Sequence, residues 1–350
     1  MFRREISRVH RGLKNLFRTD GEVAVLASSG TGAMEAAVAN VVTRGDPVVV
    51  IRSGKYGERW GEICGAYGAK VDWLEVEPGA VVDPGELGDR LDSGGAKAVF
   101  AVHLETSTGA LNDIAGVARA VGDCSTLVVD AISSLGVHEF DMDGWGVDVA
   151  VGASQKGLAL PPGLGFVAVG PGARARVESS GSPRYYFDLR KYLTAGAENQ
   201  TPFTAPVTLI AALGRALENL GTTDESIARH ARLSRAFRAG VEAMNLEMFP
   251  AVPSNAVTVF AVPEHLDAEE LVRILEEDWG MRIAAGQGAL RNRVVRMGHL
   301  GHISDEDVVA LFEALEKVLP QCGHPVEPGR GVRAVGMTLA RSGEESHHGS

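Results

Sequence analysis

Two residues placed just beyond strand-like runs determine the chemistry open to this sequence. Asp130 closes the apolar run Thr126-Leu127-Val128-Val129, and Lys156 follows the run Val147-Asp148-Val149-Ala150-Val151 through Gly152-Ala153-Ser154-Gln155. A lysine amine is too basic to be nucleophilic at neutral pH unless burial or neighbouring charge lowers its pKa, and a site past a buried strand among small residues supplies burial. A carboxylate ending an apolar strand needs a nearby cation. Upstream, Ser28-Ser29-Gly30-Thr31-Gly32 opens a helix carrying Met34, Ala37, Val38 and Val41. Its free backbone amides and hydroxyls suit a phosphate, and Gly30 lets the backbone approach closely. Amine, buried acid and phosphate cup together are what holds pyridoxal phosphate: Lys156 would form the Schiff base and Asp130 would keep the pyridine nitrogen protonated.

Each residue alone has a plainer reading. Lys156 would be a surface loop lysine, Asp130 a cap on the turn-like Ala131-Ile132-Ser133-Ser134, and Ser29-Gly30-Thr31 an ordinary helix start. Their convergence argues for the cofactor. The glycines match neither a Walker sequence nor a dinucleotide fingerprint. After another strand comes His103-Leu104-Glu105-Thr106-Ser107-Thr108-Gly109, where Thr106 would bond a phenolic oxygen and His103 and Glu105 would support the loop or satisfy one another. Tyr56, in Gly54-Lys55-Tyr56-Gly57-Glu58-Arg59-Trp60, would stack on an aromatic ring or serve as core.

The elements that must position these groups alternate. Apolar runs at residues 23–26, 48–51, 71–74, 98–102, 127–129, 147–151 and 165–169 are separated by helix-compatible stretches. That pattern predicts an α/β fold with a mainly parallel sheet covered on both faces. Ligands of such sheets gather beyond the strand carboxyl ends, where Gly30, Asp130 and Lys156 would lie. The spacing predicts a large domain over residues 1–222, a smaller α+β domain over 223–321, and a disordered tail over 322–350, rich in Gly, Pro, Ser and charge. At the start, Phe2, Ile6, Val9, Leu13, Leu16 and Phe17 recur at helical spacing and predict a surface helix with a solvated basic face.

Composition narrows the function classes. With 350 residues, 45% of them hydrophobic, the chain can bury a full core. A formal net charge of -11 disfavours nucleic acid and anionic membrane surfaces as partners. No stretch is long and apolar enough to span a bilayer, and the first residues lack a signal-peptide core. Cys64, Cys124 and Cys322 are scattered without metal-ligand spacing, which fits reduced thiols in the cytoplasm and predicts no metal site.

In order along the chain, Ser29-Gly30-Thr31-Gly32-Ala33-Met34-Glu35-Ala36-Ala37, His103 to Gly109, Val128-Val129-Asp130-Ala131-Ile132-Ser133-Ser134-Leu135-Gly136, and Ser154-Gln155-Lys156-Gly157 with Pro161-Pro162-Gly163 closely resemble class V pyridoxal-phosphate aminotransferases, above all the alanine–glyoxylate and serine–pyruvate group. The likeness continues through Gln200-Thr201-Pro202-Phe203-Thr204 to Val295-Arg296-Met297-Gly298-His299-Leu300-Gly301, and so covers nearly all of residues 1–320. It implies the fold type I transferase architecture and a homodimer. It also implies Lys156 as Schiff-base lysine, Asp130 on the pyridinium, Tyr56 stacking on the ring and Ile132 packing behind it. Ser29, Gly30, Thr31 and Gln155 would hold the phosphate, Thr106 would approach the phenolic oxygen, Thr201 and Thr204 would complete the partner's phosphate cup, and Arg296 would clamp the substrate carboxylate. The implied activity moves an amino group from a small amino acid to a 2-keto acid such as glyoxylate or pyruvate. The family usually has a proline- and glycine-containing segment ahead of its first long helix, whereas this sequence opens almost at the helix. The alternatives are a cysteine desulfurase-like lyase and a biosynthetic enzyme performing replacement or carbon–carbon bond formation. The desulfurase needs a histidine before the lysine, where Gln155 stands, and a reactive loop cysteine.

Overall fold

The computed structural model describes residues 2–345, with side chains described as far as Arg341. The chain forms two units: one holds the residues up to Glu105 and Leu111–Ser226, the other Thr106–Ala110 and the chain from Ile227 onward.

In the first unit seven strands form one sheet: β1 (Glu22–Ser28), β2 (Pro47–Arg52), β3 (Lys70–Glu75), β4 (Ala98–Val102), β5 (Thr126–Asp130), β6 (Val149–Ala153) and β7 (Gly163–Val169). Their spatial order is β1-β7-β6-β5-β4-β2-β3. The run from β6 to β3 is parallel, while β7 is antiparallel to both β1 and β6. Side-chain alternation splits each strand between two cores. Val49, Ile51, Val99, Ala101, Leu127 and Val129 join Ile6, Val9, Leu13 and Phe17 of the helix Phe2–Phe17 on one face. Val48, Val50, Phe100, Val102 and Val128 join Met34, Ala37, Val38 and Val41 of the helix Gly30–Val41 on the other. Burying both faces is why these strands read as unbroken apolar runs, each buried valine or leucine contributing about 1.5–3 kcal/mol.

The sixth strand lies two residues later than the apolar run suggests. Val147 N–H donates to Met142 O and Asp148 accepts from Leu127 N–H, so these two residues serve a turn and pairing starts at Val149. That shift carries the strand end to Ala153, close in sequence to Lys156.

The second unit has a four-stranded antiparallel sheet, in the order β8 (Glu247–Met248), β9 (Val257–Ala261), β11 (Val294–Gly298) and β10 (Ala284–Ala285). The helices Ala268–Trp279 and Asp305–Gln321 bury Leu271, Leu275, Phe312, Leu315 and Leu319 in its core.

The tail from residue 322 is not disordered as its composition predicts. Arg330–Glu345 is a helix whose Val335 and Leu339 enter the same core. Two physical reasons account for the difference. The apolar positions 332, 335 and 339 form a sparse helical stripe, easily lost among Gly, Arg and Ser. Capping comes from afar, since the Glu316 carboxylate accepts from Gly329 N–H at 2.6 Å and from Val332 N–H at 2.9 Å. The last part of the predicted tail, residues 346–350, lies outside the described residues. Among the described residues no helix is long and apolar enough to cross a membrane.

Candidate active site

Three turns of the first unit meet at the carboxyl ends of the parallel strands. Ser29 caps the helix Gly30–Val41, its hydroxyl accepting from Gly32 N–H at 3.4 Å. Gly30 is buried, and a methyl group there would lie 2.7 Å from Ile132 Cδ1 and 3.3 Å from Ala153 Cβ. The bare backbone at position 30 thus lets the turns after β1, β5 and β6 close on one another.

Asp130 ends β5 between Val102 of β4 and Val151 of β6, and is only 5% exposed. Its Oδ1 accepts from Ile132 N–H at 2.8 Å, and among the described residues it makes no ion pair. Burial pushes its carboxyl up to about 7; the Ile132 N–H opposes this, Glu105 adds to it, and the charges of Lys156 and Arg59 pull it back. A buried acid held near neutrality is a receptor for a cation.

Lys156, half-buried, stands in a turn fixed from both sides. Ser154 Oγ donates to Pro161 O at 2.8 Å and accepts from Leu164 N–H at 3.3 Å, while Ala159 N–H donates to Lys156 O. Gly157 lies so close to Leu135 O that a methyl group would approach it to 2.3 Å. Beside Lys156, Gln155 Oε1 is buried with no hydrogen-bond partner among the described residues.

Tyr56 begins the helix Lys55–Ala66. Glu105, fully buried, reaches this helix start and accepts from Tyr56 N–H at 2.9 Å and Gly57 N–H at 3.2 Å. A carboxylate on free amides at a helix N-terminus is favourable, so Glu105 fixes where Tyr56 sits. The sequence signal was an acid directly after a buried strand, but its partners lie far off in the chain. His103 turns elsewhere, into an aromatic group with His138, Phe140 and Trp145. Burial, reinforced by His138, pushes His103 down to about 3 and keeps it neutral.

The remaining candidates fall in the second unit or after the helix Leu189–Ala197 of the first. In the second unit, buried Thr106 accepts at its carbonyl from Arg296 Nη1 at 3.3 Å, and Arg296 Nη2 donates to Ala285 O at 3.2 Å. Arg296 Nε is buried with no hydrogen-bond partner among the described residues. Among the described residues this arginine on β11 is therefore held by backbone carbonyls and not by a surface carboxylate. In the first unit Thr201 donates to Phe203 O at 2.8 Å, and Thr204 is exposed. Phe203 stacks on Tyr186 at 4.9 Å beside Tyr185, which is 74% exposed.

The residues at the strand ends suit pyridoxal phosphate. The glycine cradle at position 30, beside the free amides of a helix start, and the buried acid that makes no ion pair among the described residues are what a ligand with both an anionic and a cationic end would satisfy. The sheet topology is that of the fold type I pyridoxal-phosphate transferases, as are the solved structures similar to the chain. Residues 2–310 match the family described as aminotransferase class-V, and the chain belongs to that family. It is 40% identical over 339 residues to a Synechococcus sp. (strain PCC 6716) protein named soluble hydrogenase, small subunit, covering 94% of this chain and 88% of that one. It is 36% identical over 347 residues to the L-aspartate–glyoxylate aminotransferase of Paracoccus denitrificans, covering 96% and 88%. The ureidoglycine–glyoxylate aminotransferase of Bacillus subtilis superposes with a TM-score of 0.92 at 26% identity, covering 97% of this chain and 90% of the other.

Proposed function

We propose that this aminotransferase binds pyridoxal phosphate at the strand ends and moves an amino group from a small amino acid to a 2-keto acid, with glyoxylate or pyruvate as acceptor. The observation that carries the reading is the pairing of buried Asp130, without a counterion, with Lys156 in a clamped turn after the adjacent strand. Support for the acceptor comes from two similar proteins whose names specify glyoxylate. The hydrogenase name of another relative describes different chemistry, and the proposal rests on the family match and on these residues.

When bound, the cofactor supplies an aldehyde to carry the amino group and a conjugated ring to accept the electrons left at the substrate Cα. Lys156 Nζ would hold the cofactor's aldehyde end and, as a free amine, would be the base for the substrate Cα proton. The Asp130 carboxylate would hold the proton on the ring nitrogen. Tyr56 would stack on the ring, Ile132 would pack behind it, and Thr106 would serve the phenolic oxygen. Ser29, Gly30, Thr31 and Gln155 take the phosphate. A single-turnover absorbance assay with a panel of amino acids, followed by identification of the keto product, tests the whole reading. Release of sulfide or another side-chain leaving group in place of a keto acid would establish the lyase alternative.

Arg296 binds the substrate carboxylate. Arg296→Lys is expected to raise KM for the amino acid by roughly ten- to a hundredfold, because lysine offers one point charge where the guanidinium offers two parallel donors. Comparison with the decarboxylated amine checks this, since discrimination between the two substrates should collapse; a variant that still discriminates normally removes Arg296 from the clamp.

The active species is a homodimer, with Thr201 and Thr204 adding hydroxyls to the partner's phosphate cup. The exposed rings of Tyr185 and Tyr186, packed beside partly buried Phe203, with Val207 at 56% exposure nearby in sequence, support burial against a second copy. Thr204→Val should weaken cofactor retention, and dilution should release cofactor as dimers separate. Sedimentation followed at the cofactor's absorbance band decides, because a monomer carrying full cofactor contradicts it. The free cysteines Cys64, Cys124 and Cys322 agree with a reducing compartment such as the cytoplasm.

A further inference from the structure

The aromatic and the hydroxyl assigned above to ring and phosphate lie on different helices, and one side chain touches both. Arg59 Nη1 donates to Thr31 Oγ1 at 3.2 Å, and the Arg59 guanidinium carbon lies 4.9 Å from the centre of the Tyr56 ring. Arg59 follows Tyr56 by three positions on the helix Lys55–Ala66, so both project from the same face. Among the described residues no carboxylate pairs with Arg59, unlike Arg52, which is paired with Glu75.

The chemistry of the cup explains what such an arginine does. Ser29, Gly30, Thr31 and Gln155 offer hydroxyls, amides and an amide side chain to a dianion, but no positive charge. A hydroxyl has one proton to donate and two lone pairs that accept. With a guanidinium N–H on one lone pair, the Thr31 proton is left to point at an anion, and the adjacent charge makes it a stronger donor. The guanidinium over the ring face also restrains Tyr56.

Building on the pyridoxal-phosphate reading, we propose that Arg59 is a positioning residue that tunes the phosphate cup through Thr31 and couples it to the stacking tyrosine. Its effect is therefore specific to ligands that carry the phosphate.

The test titrates apo protein with pyridoxal phosphate and with pyridoxal, which keeps the ring and aldehyde but lacks the phosphate, in wild type, Arg59→Gln and Arg59→Lys. Arg59→Gln should lose about tenfold in affinity for pyridoxal phosphate and distinctly less for pyridoxal. Arg59→Lys, which keeps the charge without the planar fork, should recover part of the loss. In a Thr31→Val background the same Arg59→Gln change should cost much less, because the two residues act through one contact. Thermal stabilisation by inorganic phosphate should shrink in Arg59→Gln while the unliganded melting temperature holds. Equal losses for the two ligands, or unchanged affinity for pyridoxal phosphate, would overturn the inference while leaving the cofactor assignment intact. Failure of the wild-type protein to bind pyridoxal phosphate would overturn both.

Discussion

Lys156→Ala is expected to reduce amino transfer by roughly 10²- to 10⁴-fold, the scale on which a positioned proton-transfer group contributes. The variant should still hold cofactor noncovalently, since the phosphate cup and Asp130 remain. Borohydride treatment of wild type should attach the cofactor to one peptide, the one containing Lys156, and the variant should yield no adduct. The clamped turn is the reason to expect a single site: Ser154 is tied to both Pro161 and Leu164, so the amine at position 156 has little freedom to be replaced by a neighbour. An adduct mapping to another lysine would refute the assignment.

Asp130→Asn should lower proton transfer by roughly 10²- to 10³-fold with cofactor still bound, because an amide cannot stabilise a protonated ring nitrogen as a carboxylate does. Near-normal exchange of the substrate α-proton in the variant would count against the role. The same substitution has a pH signature in the unliganded protein. Burial moves the Asp130 carboxyl from an ordinary 3.8 to about 7, so over that interval the folded state holds a proton that the unfolded state has lost. Stability from this group therefore falls as pH rises through the interval, by on the order of 4 kcal/mol in all, and the penalty is complete above the folded value. Denaturant unfolding at about pH 5 and pH 8 should show a smaller pH difference for the apo asparagine variant than for apo wild type. Bound cofactor should suppress the wild-type penalty, since a cation beside the carboxylate pulls its pKa back down.

The parts legible in the sequence are those written locally. A parallel sheet buried on both faces leaves continuous apolar runs, and a polar residue where such a run stops is conspicuous, as at Asp130. Glycine beside serine and threonine before a helix is likewise a short-range pattern. The rest depends on partners distant in sequence. Glu105 is a lone acid until the fold brings it to the amides of Tyr56 and Gly57. The helix Arg330–Glu345 lacks an obvious local start because Glu316 caps it from another helix. Arg296 reads as a surface ion-pair residue in isolation, whereas its partners are backbone carbonyls, which no side-chain pattern announces.

The five residues Thr106–Ala110 are flanked on both sides by the first unit, yet they belong to the second. Ala110 bridges to Pro253, Ser254 N–H donates to Gly109 O, and Thr106 supplies a carbonyl to Arg296. During synthesis this segment leaves the ribosome long before those partners exist, so the second unit cannot complete its structure as an independent, later module. Closing so long a loop is entropically slow, and it makes correct docking of this short segment a candidate for the late step in folding. Residues from Ile227 onward, expressed alone, would expose the Ser254 amide and lose a carbonyl that orients Arg296. Adding the missing segment as a peptide should then restore order to the guanidinium before it restores much stability.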